Sequence, residues 1–391
     1  MTAVLPPLDL GTPGVFLRDD YYDVLAMLRR ESPVHRYAPD AWALTRYADI
    51  REVSRDPERF CSSRGVLVND PLRTGATVTA SIIHMDPPDH PVWRKIVSRR
   101  FTPRAVAGLE GRIRAIAREV LDAAPVGTPI DLVDAVTAPF PVLVVAELLG
   151  IADGDRDAFR RSSNAAIAHP DDPGVGHDDI VALHRFLIEH VRARRAEPRD
   201  DIVSALVTAE IEGERMSTPD VVGYCFTLLV AGNETTRHLV SGSALALWEH
   251  PDQRALLAAA PERIGVAVEE CLRWVTPVQV FGRTATRDVT LHGEHIPEGD
   301  FVALLYASGN RDEDAFGPTA GRFDVTRTPD AQHVAFGFGP HLCLGAALAR
   351  LEARVMLEEL LARSPSYDVV AEPEWTPSTL VRGLARLPVV L

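Results

Sequence analysis

Apolar residues recur at three- and four-residue spacing through positions 106–121, 180–195 and 220–250. That period puts them on one face of a turn of 3.6 residues and predicts three long helices. Two shorter pieces, 41–45 and 289–302, read as strands, the second broken by the turn-forming run HGEHIPEGD at 292–300. The pattern as a whole predicts a mainly α fold with a small β region. The longest helix carries a start signal in Ser217, Thr218, Pro219 and Asp220: a hydroxyl cap, a proline in the first turn and an acid near the positive end of the helix dipole. It should stop before Pro251, and at about 1.5 Å per residue its length of roughly 45 Å would cross the whole molecule. No internal repeat and no low-complexity linker divides the chain.

With 391 residues the chain is ample for a large core. A net charge of −14 makes nucleic acid an unexpected partner, because phosphate binding is driven by Lys and Arg. Cys61, Cys225, Cys271 and Cys343 lie far apart with no CxxC pair, which argues against a zinc ribbon or a disulfide framework and fits a reducing cytoplasm. The opening MTAVLPPLDLGTPG shows neither a basic segment followed by a long apolar run nor a membrane anchor, so a cytoplasmic protein is expected. A single lysine, Lys95, stands against forty arginines, a composition that a GC-rich genome would produce.

Two segments carry chemistry. In FGFGPHLCLG, 336–345, glycines surround Cys343 just ahead of the alanine-rich helical run LGAALARLEARVMLEELLAR. Gly337 and Gly339 allow a tight turn and a close approach to a flat ligand. The free amides and positive dipole end of the following helix would point at the sulfur and favour thiolate over thiol. A thiolate in a glycine-lined loop suits an axial iron ligand of haem. The usual fate of a lone cysteine is a buried structural thiol, but the ordered Phe, Gly, Gly, His and Gly around this one argue against it. The second segment is AGNETT, 231–236, in the middle of the longest helix. Glycine weakens a helix by about 1 kcal/mol relative to alanine, and threonine hydroxyls can bond to a carbonyl one turn back, so a local distortion is expected there.

Phe336, Gly337, Gly339, His341, Cys343 and Gly345 resemble the haem-ligand signature of the cytochrome P450 family. The resemblance covers nearly the whole chain, from His90 to Val381, with the motifs in the family's order. It implies one domain over 1–391, with a long central helix over haem b and Cys343 as the iron ligand. AGNETT resembles the oxygen-binding groove. Carried onto this chain, Gly232 would leave room for dioxygen beside Ala231, Thr235 would donate a hydrogen bond to the oxygen being activated, and Glu234 would relay protons from solvent. His90 and Arg94, one helical turn apart, together with Arg283 and His341 match the partners of the haem propionates, and Phe336, Gly337 and Gly345 complete the cofactor contacts. Glu270 and Arg273 match the family's structural ExxR pair, with Arg322 in GRFD as the third member and Asn310, Arg311 and Asp312 ahead of it. The longer string AGNETTR, 231–237, is similar to sterol- and branched-lipid-oxidising bacterial members.

On the substrate side, Thr227 and Ala231 lie two turns and one turn before Thr235 on its helix face, with Val230 beside them. Val278 to Phe281 and Thr379 to Val381, including Leu380, match other pocket positions of the family. These are mainly apolar and imply a greasy terpenoid, steroid, branched-lipid or macrolide-like substrate of secondary metabolism, with specificity in the loops 65–84 and 165–179. The resemblance implies a monomeric monooxygenase that inserts one atom of O2 and draws electrons from ferredoxin and ferredoxin reductase. Arg94, Lys95, Arg99 and Arg100 would offer the ferredoxin a basic patch. Two alternatives stand beside this: a peroxide-driven haem peroxygenase, and a non-catalytic haem gas sensor or carrier, against which the Glu234 and Thr235 pair argues.

Overall fold

The computed structural model describes residues 7–76, 81–167, 177–328 and 331–391. In chain order, the elements that build the site are β1 (Val34–Ala38), β2 (Ala41–Leu44), β3 (Phe60–Cys61), α1 (Asp89–Ser98), α2 (Glu110–Ala123), α3 (Pro139–Leu149), α4 (His177–Ala196), α5 (Thr218–Glu249), α6 (Ile264–Val275), β4 (Val280–Ala285), β5 (Phe301–Leu305) and α7 (Ala346–Arg363).

α5 is the axis of the helical part and packs against α3, α4, α6 and α7. It starts where the sequence predicts: the Ser217 hydroxyl accepts from the Asp220 amide at 3.3 Å and donates to the Asp220 carboxylate at 2.6 Å. Buried residues surround most of its length, which is how a helix apolar on all sides is accommodated. Its buried hydroxyls are satisfied locally: Ser241 donates to the Arg237 carbonyl at 2.8 Å and Ser243 to that of Leu239 at 2.6 Å. The expected distortion at 231–236 does not break the helix, which runs as α-helix from end to end.

The helix predicted at 106–121 is two helices. Thr102 caps a short one, Pro103–Ala107, through the Ala105 amide, the chain turns at Gly108, and α2 begins two residues later. Val106, Ile113, Ile116 and Val120 stay buried on both sides of the break, so the apolar period runs through it unaltered. The stretch 289–302 is a hairpin followed by β5. Val289–Leu291 pairs with Glu294–Ile296 across His292 and Gly293, both in the left-handed region at φ 50° and 84°.

The main sheet has the order β1-β2-β5-β4-β3, with β2 and β5 parallel and the other neighbours antiparallel. β5 is buried along its whole length, between apolar clusters on either face. A separate cluster joins the helices. Among the described residues no helix is long and apolar enough to cross a membrane.

One buried cation ties the helices to the loops that follow the sheet. Arg273 on α6 makes a two-armed pair with Glu270, both bonds 2.7 Å, and donates to the carbonyls of Asn310, Ala320 and Arg322 at 2.7–2.8 Å. The third charged member differs from the expected one. Arg322 offers only its carbonyl and its side chain is exposed, whereas Arg327, five residues on, places Nε 3.1 Å from Glu270 Oε2. Arg327 turns inward because its other guanidinium nitrogens reach the carbonyls of Phe316, Thr319 and Arg322. Removing one member of a buried ion pair strands the other's charge, at about 3–5 kcal/mol. Urea unfolding of the haem-loaded protein should therefore show losses on the order of 3 kcal/mol for Arg273→Met and Arg327→Ala. Arg322→Ala should stay within about 1 kcal/mol of the parent.

Candidate active site

The Cys343 loop is a compact hydrogen-bonded turn. The Cys343 amide donates to the Phe336 carbonyl at 2.9 Å, and the Gly337 amide to that of Val334 at 2.9 Å. Gly337 and Gly339 both take left-handed backbone, φ 68° and 72°, which a β-carbon resists. At Gly339 the close approach is to protein and not to a ligand: a β-carbon would stand 2.1 Å from the Ser54 carbonyl oxygen. Phe338, between them, is held under two guanidiniums, Arg51 at 4.3 Å and Arg55 at 4.4 Å from the ring centre. Phe336 carries the Arg350 guanidinium at 4.7 Å. Arg350 in turn makes a two-armed pair with Glu269, at 2.6 and 3.0 Å, and the same carboxylate lies 3.2 Å from His333. Nothing in the local sequence singles out Phe338, Arg350, Glu269 or His333, because their partners come from other elements.

Cys343 is exposed, with Leu342 beside it. Its thiol is pushed up by the apolar surroundings, which outweigh the lowering influence of the Gly345 amide and of the Arg94 and Arg350 guanidiniums. The thiolate-favouring effect expected from the helix end is present but is not the larger one.

Around the loop the structure collects positive charge. His90 is buried on α1 and its ring stacks against His341 at 4.1 Å. Arg94, one turn later, donates to the Leu342 carbonyl at 2.6 Å. Arg283 is buried on β4 and donates to the Gly282 carbonyl at 2.7 Å. The Ser62 hydroxyl lies 3.2 Å from His341 Nε2. His341 is held at about 3, by burial first and then by Arg283, His90 and Arg94. Burial also lowers His90, Arg94 and Arg283. The nearby carboxylate, Asp86, is engaged by the amides of Ser62 and Ser63 at 2.8 and 3.0 Å, and among the described residues none of the four groups has an ion-pair partner. Two guanidiniums short of counter-charge and two imidazoles that can donate hydrogen bonds, gathered next to a thiol, fit a planar group that brings two carboxylates and a metal, as haem b does.

On α5 an accessible stripe interrupts the buried surface. Phe226, Thr227, Val230, Ala231, Glu234 and Thr235 are accessible, Ala231 most of all, near the middle of a helix whose other residues are mostly buried. Thr235 donates to the Ala231 carbonyl at 2.6 Å, and Thr227 to that of Gly223 at 2.9 Å. Glu234 Oε1 lies 3.6 Å from His238 Nε2 and 3.8 Å from Arg237 Nη2. Gly232 points elsewhere: a β-carbon there would meet Val145 of α3 at 3.2 Å. Its missing side chain serves close helix packing, and the small residue on the Thr235 stripe is Ala231. Thr236, on the buried side, donates to Glu352 of α7 at 3.2 Å, and burial pushes that carboxyl up to about 8.

Val278 and Val381 face each other in an isolated antiparallel bridge, and the Gln279 amide donates to the Leu380 carbonyl at 2.9 Å, which brings the two predicted pocket segments together. Val278, Phe281 and Leu380 are partly accessible and Val381 is buried. Of the predicted specificity loops, 77–80 and 168–176 lie outside the described residues.

The cytochrome P450 family model matches residues 265–369. The chain is 42% identical to the vitamin D(3) 25-hydroxylase of Pseudonocardia autotrophica over 94% of this chain and 92% of that one. It is 37% identical to the linalool 8-monooxygenase of Pseudomonas putida over 98% of each. A cytochrome P450 of Mycobacterium marinum solved with pseudoionone superposes with a TM-score of 0.86 at 36% identity, covering 100% of both chains. With the Cys343 loop, the unpaired cations and the accessible stripe of α5 in one fold, the chain belongs to the cytochrome P450 family of haem b monooxygenases.

Proposed function

We propose that this enzyme hydroxylates or epoxidises a hydrophobic small molecule of terpenoid, steroid or branched-lipid size, with electrons delivered by a ferredoxin and its reductase. The observation that carries the reading is the pairing of a cation-ringed cysteine loop with a helix stripe that is apolar except for two threonines and one acid. The relatives named for vitamin D(3) and linalool, and the structure with pseudoionone, support the substrate class.

Haem b, when bound, supplies the activation of O2 and the insertion of one oxygen atom into a C–H or C=C bond. The chain's own residues do the rest. Cys343 ligates the iron, while His90, Arg94, Arg283 and His341 receive the two propionates. Thr235 holds a proton that rests on the Ala231 carbonyl and can be turned toward a ligand on the accessible side. Glu234, 3.8 Å from the Arg237 guanidinium, carries protons toward Thr235. Val230, Ala231, Val278, Phe281 and Leu380 exclude water and hold the substrate by apolar contact. We place the protein in the cytoplasm as a monomeric single domain.

The basic patch proposed for the ferredoxin is smaller than the sequence implied. Arg94 turns inward to the Cys343 loop and Arg100 pairs with Asp200 at 2.6 Å. Lys95 on α1 and Arg99 just past its end remain exposed, as does Val92 one turn before Lys95, at 46%. An apolar spot rimmed by cations suits an acidic electron donor.

The reduced protein with carbon monoxide should show the strongly red-shifted Soret band of thiolate ligation and lose it in Cys343→His; a haem-loaded parent without that band would refute the assignment. Thr235→Ala should keep the band yet divert electrons from product to peroxide, lowering coupling by about tenfold or more. Lys95→Glu with Arg99→Glu should slow reduction by ferredoxin, most at low salt, in stopped-flow measurements. His341 predicts a pH dependence. Its ordinary value is 6.5 and the fold holds it at about 3, so between those values the unfolded chain binds the extra proton and stability falls as pH drops. Urea midpoints of the haem-free protein should therefore fall from pH 7 to pH 4.5, the fall should shrink in His341→Gln, and it should shrink in the haem-loaded parent, where the propionates favour the imidazolium.

A further inference from the structure

The loop ahead of α1 touches the accessible stripe of α5 through a polar pair. The Ser81 hydroxyl lies 3.3 Å from the Thr227 hydroxyl, and both residues are partly accessible. Ile82 follows Ser81, and Phe226 and Val230 are the partly accessible apolar neighbours of Thr227 on the helix, with the His184 ring stacked on Phe226 at 5.3 Å. Two hydroxyls in such surroundings cost desolvation unless they are used.

The available protons decide what they can recognise. Thr227 has one hydroxyl proton, and it is given to the Gly223 carbonyl at 2.9 Å. The Ser81–Thr227 bond must then use the Ser81 proton. Ser81 stands before a short helical turn, Ile82–His84, without capping it, so its oxygen is not drawn into local backbone bonding. Both protons are committed and only oxygen lone pairs are left. A ketone, which only accepts, would have to break the Ser81–Thr227 bond to gain one, with little net return; an alcohol can donate without breaking anything. The position is fixed as well. Thr227 precedes Thr235 by eight residues, about 12 Å along the helix at 1.5 Å per residue.

We propose that Ser81 and Thr227 form a hydroxyl-recognition subsite and that the substrate is a rigid hydrophobic alcohol, anchored by its O–H there and oxidised near Thr235, about 12 Å away along α5. This deepens the monooxygenase reading and rests on it.

Three compounds with one skeleton test it: 5α-androstan-3β-ol, 5α-androstan-3-one and 5α-androstane, each titrated into haem-loaded protein while the spin-state shift of the Soret band is followed. The red-shifted band with carbon monoxide is recorded first, so that failure of the haem-thiolate reading is seen separately. The alcohol should bind about five- to tenfold tighter than the hydrocarbon, and the ketone about as weakly as the hydrocarbon. Thr227→Val and Ser81→Ala should each reduce the alcohol's advantage, and the double variant should abolish it, with the carbon monoxide band left in place. Retention of the advantage in both variants would overturn the proposal. So would equal binding of alcohol and hydrocarbon, a ketone that matches the alcohol, or the absence of a spin shift with all three.

Discussion

A single guanidinium buried beneath the haem-ligand loop is the constraint on which the site depends. Arg273 cannot leave its partners without stranding charge in the interior, so it fixes the carbonyls of Asn310, Ala320 and Arg322 at once. Asn310 passes the constraint on. Its amide group donates to Thr276 at 2.8 Å and accepts from the Val334 amide at 2.7 Å, and the Val334 carbonyl holds Gly337. From there the Phe336 carbonyl and the Cys343 amide close the turn. The cysteine is thus positioned by a chain of buried hydrogen bonds that begins on α6, and the glycines serve to let the backbone follow it.

What could be read from the sequence was what has a local chemical signature. The cap at Ser217, the ExxR pair and the crowded setting of Cys343 all declare themselves within a few residues, and the structure has each where it was expected. The remainder depended on neighbours remote in the chain. Arg322 and Arg327 are both plausible partners for Glu270 on paper, and only the path of the intervening turn selects the second. Gly232 could face a ligand or a helix, and Val145, 87 positions earlier in the chain, decides it. The break at Gly108 was hidden because the same apolar face continues across it. At Cys343 the helix end was visible in the sequence and its amide does act on the sulfur, but the burial that works against it comes from residues remote in the chain.

α5 shows how a buried helix can be chemically active without being unstable. Ser241, Ser243, Thr227 and Thr235 each return their proton to a carbonyl one turn back, so the polar groups cost little while the helix stays intact. Where no second side chain bonds the oxygen, as at Thr235, such a hydroxyl can be redirected to a ligand by a side-chain rotation alone. The surrounding cations follow the opposite logic: they are left short of counter-charge by the protein itself, which makes the cofactor part of the fold's electrostatic balance as well as of its chemistry.

Ala231 and Gly232 are neighbours of nearly equal size with unequal freedom. Gly232 is wedged against α3, and any larger residue there must displace Val145. Ala231 opens onto the accessible stripe, the side on which the proposed substrate would lie. Variation at the first position is therefore paid in folding and at the second in what the enzyme accepts, so a lineage could explore new substrates at residue 231 without disturbing the helix contact beside it.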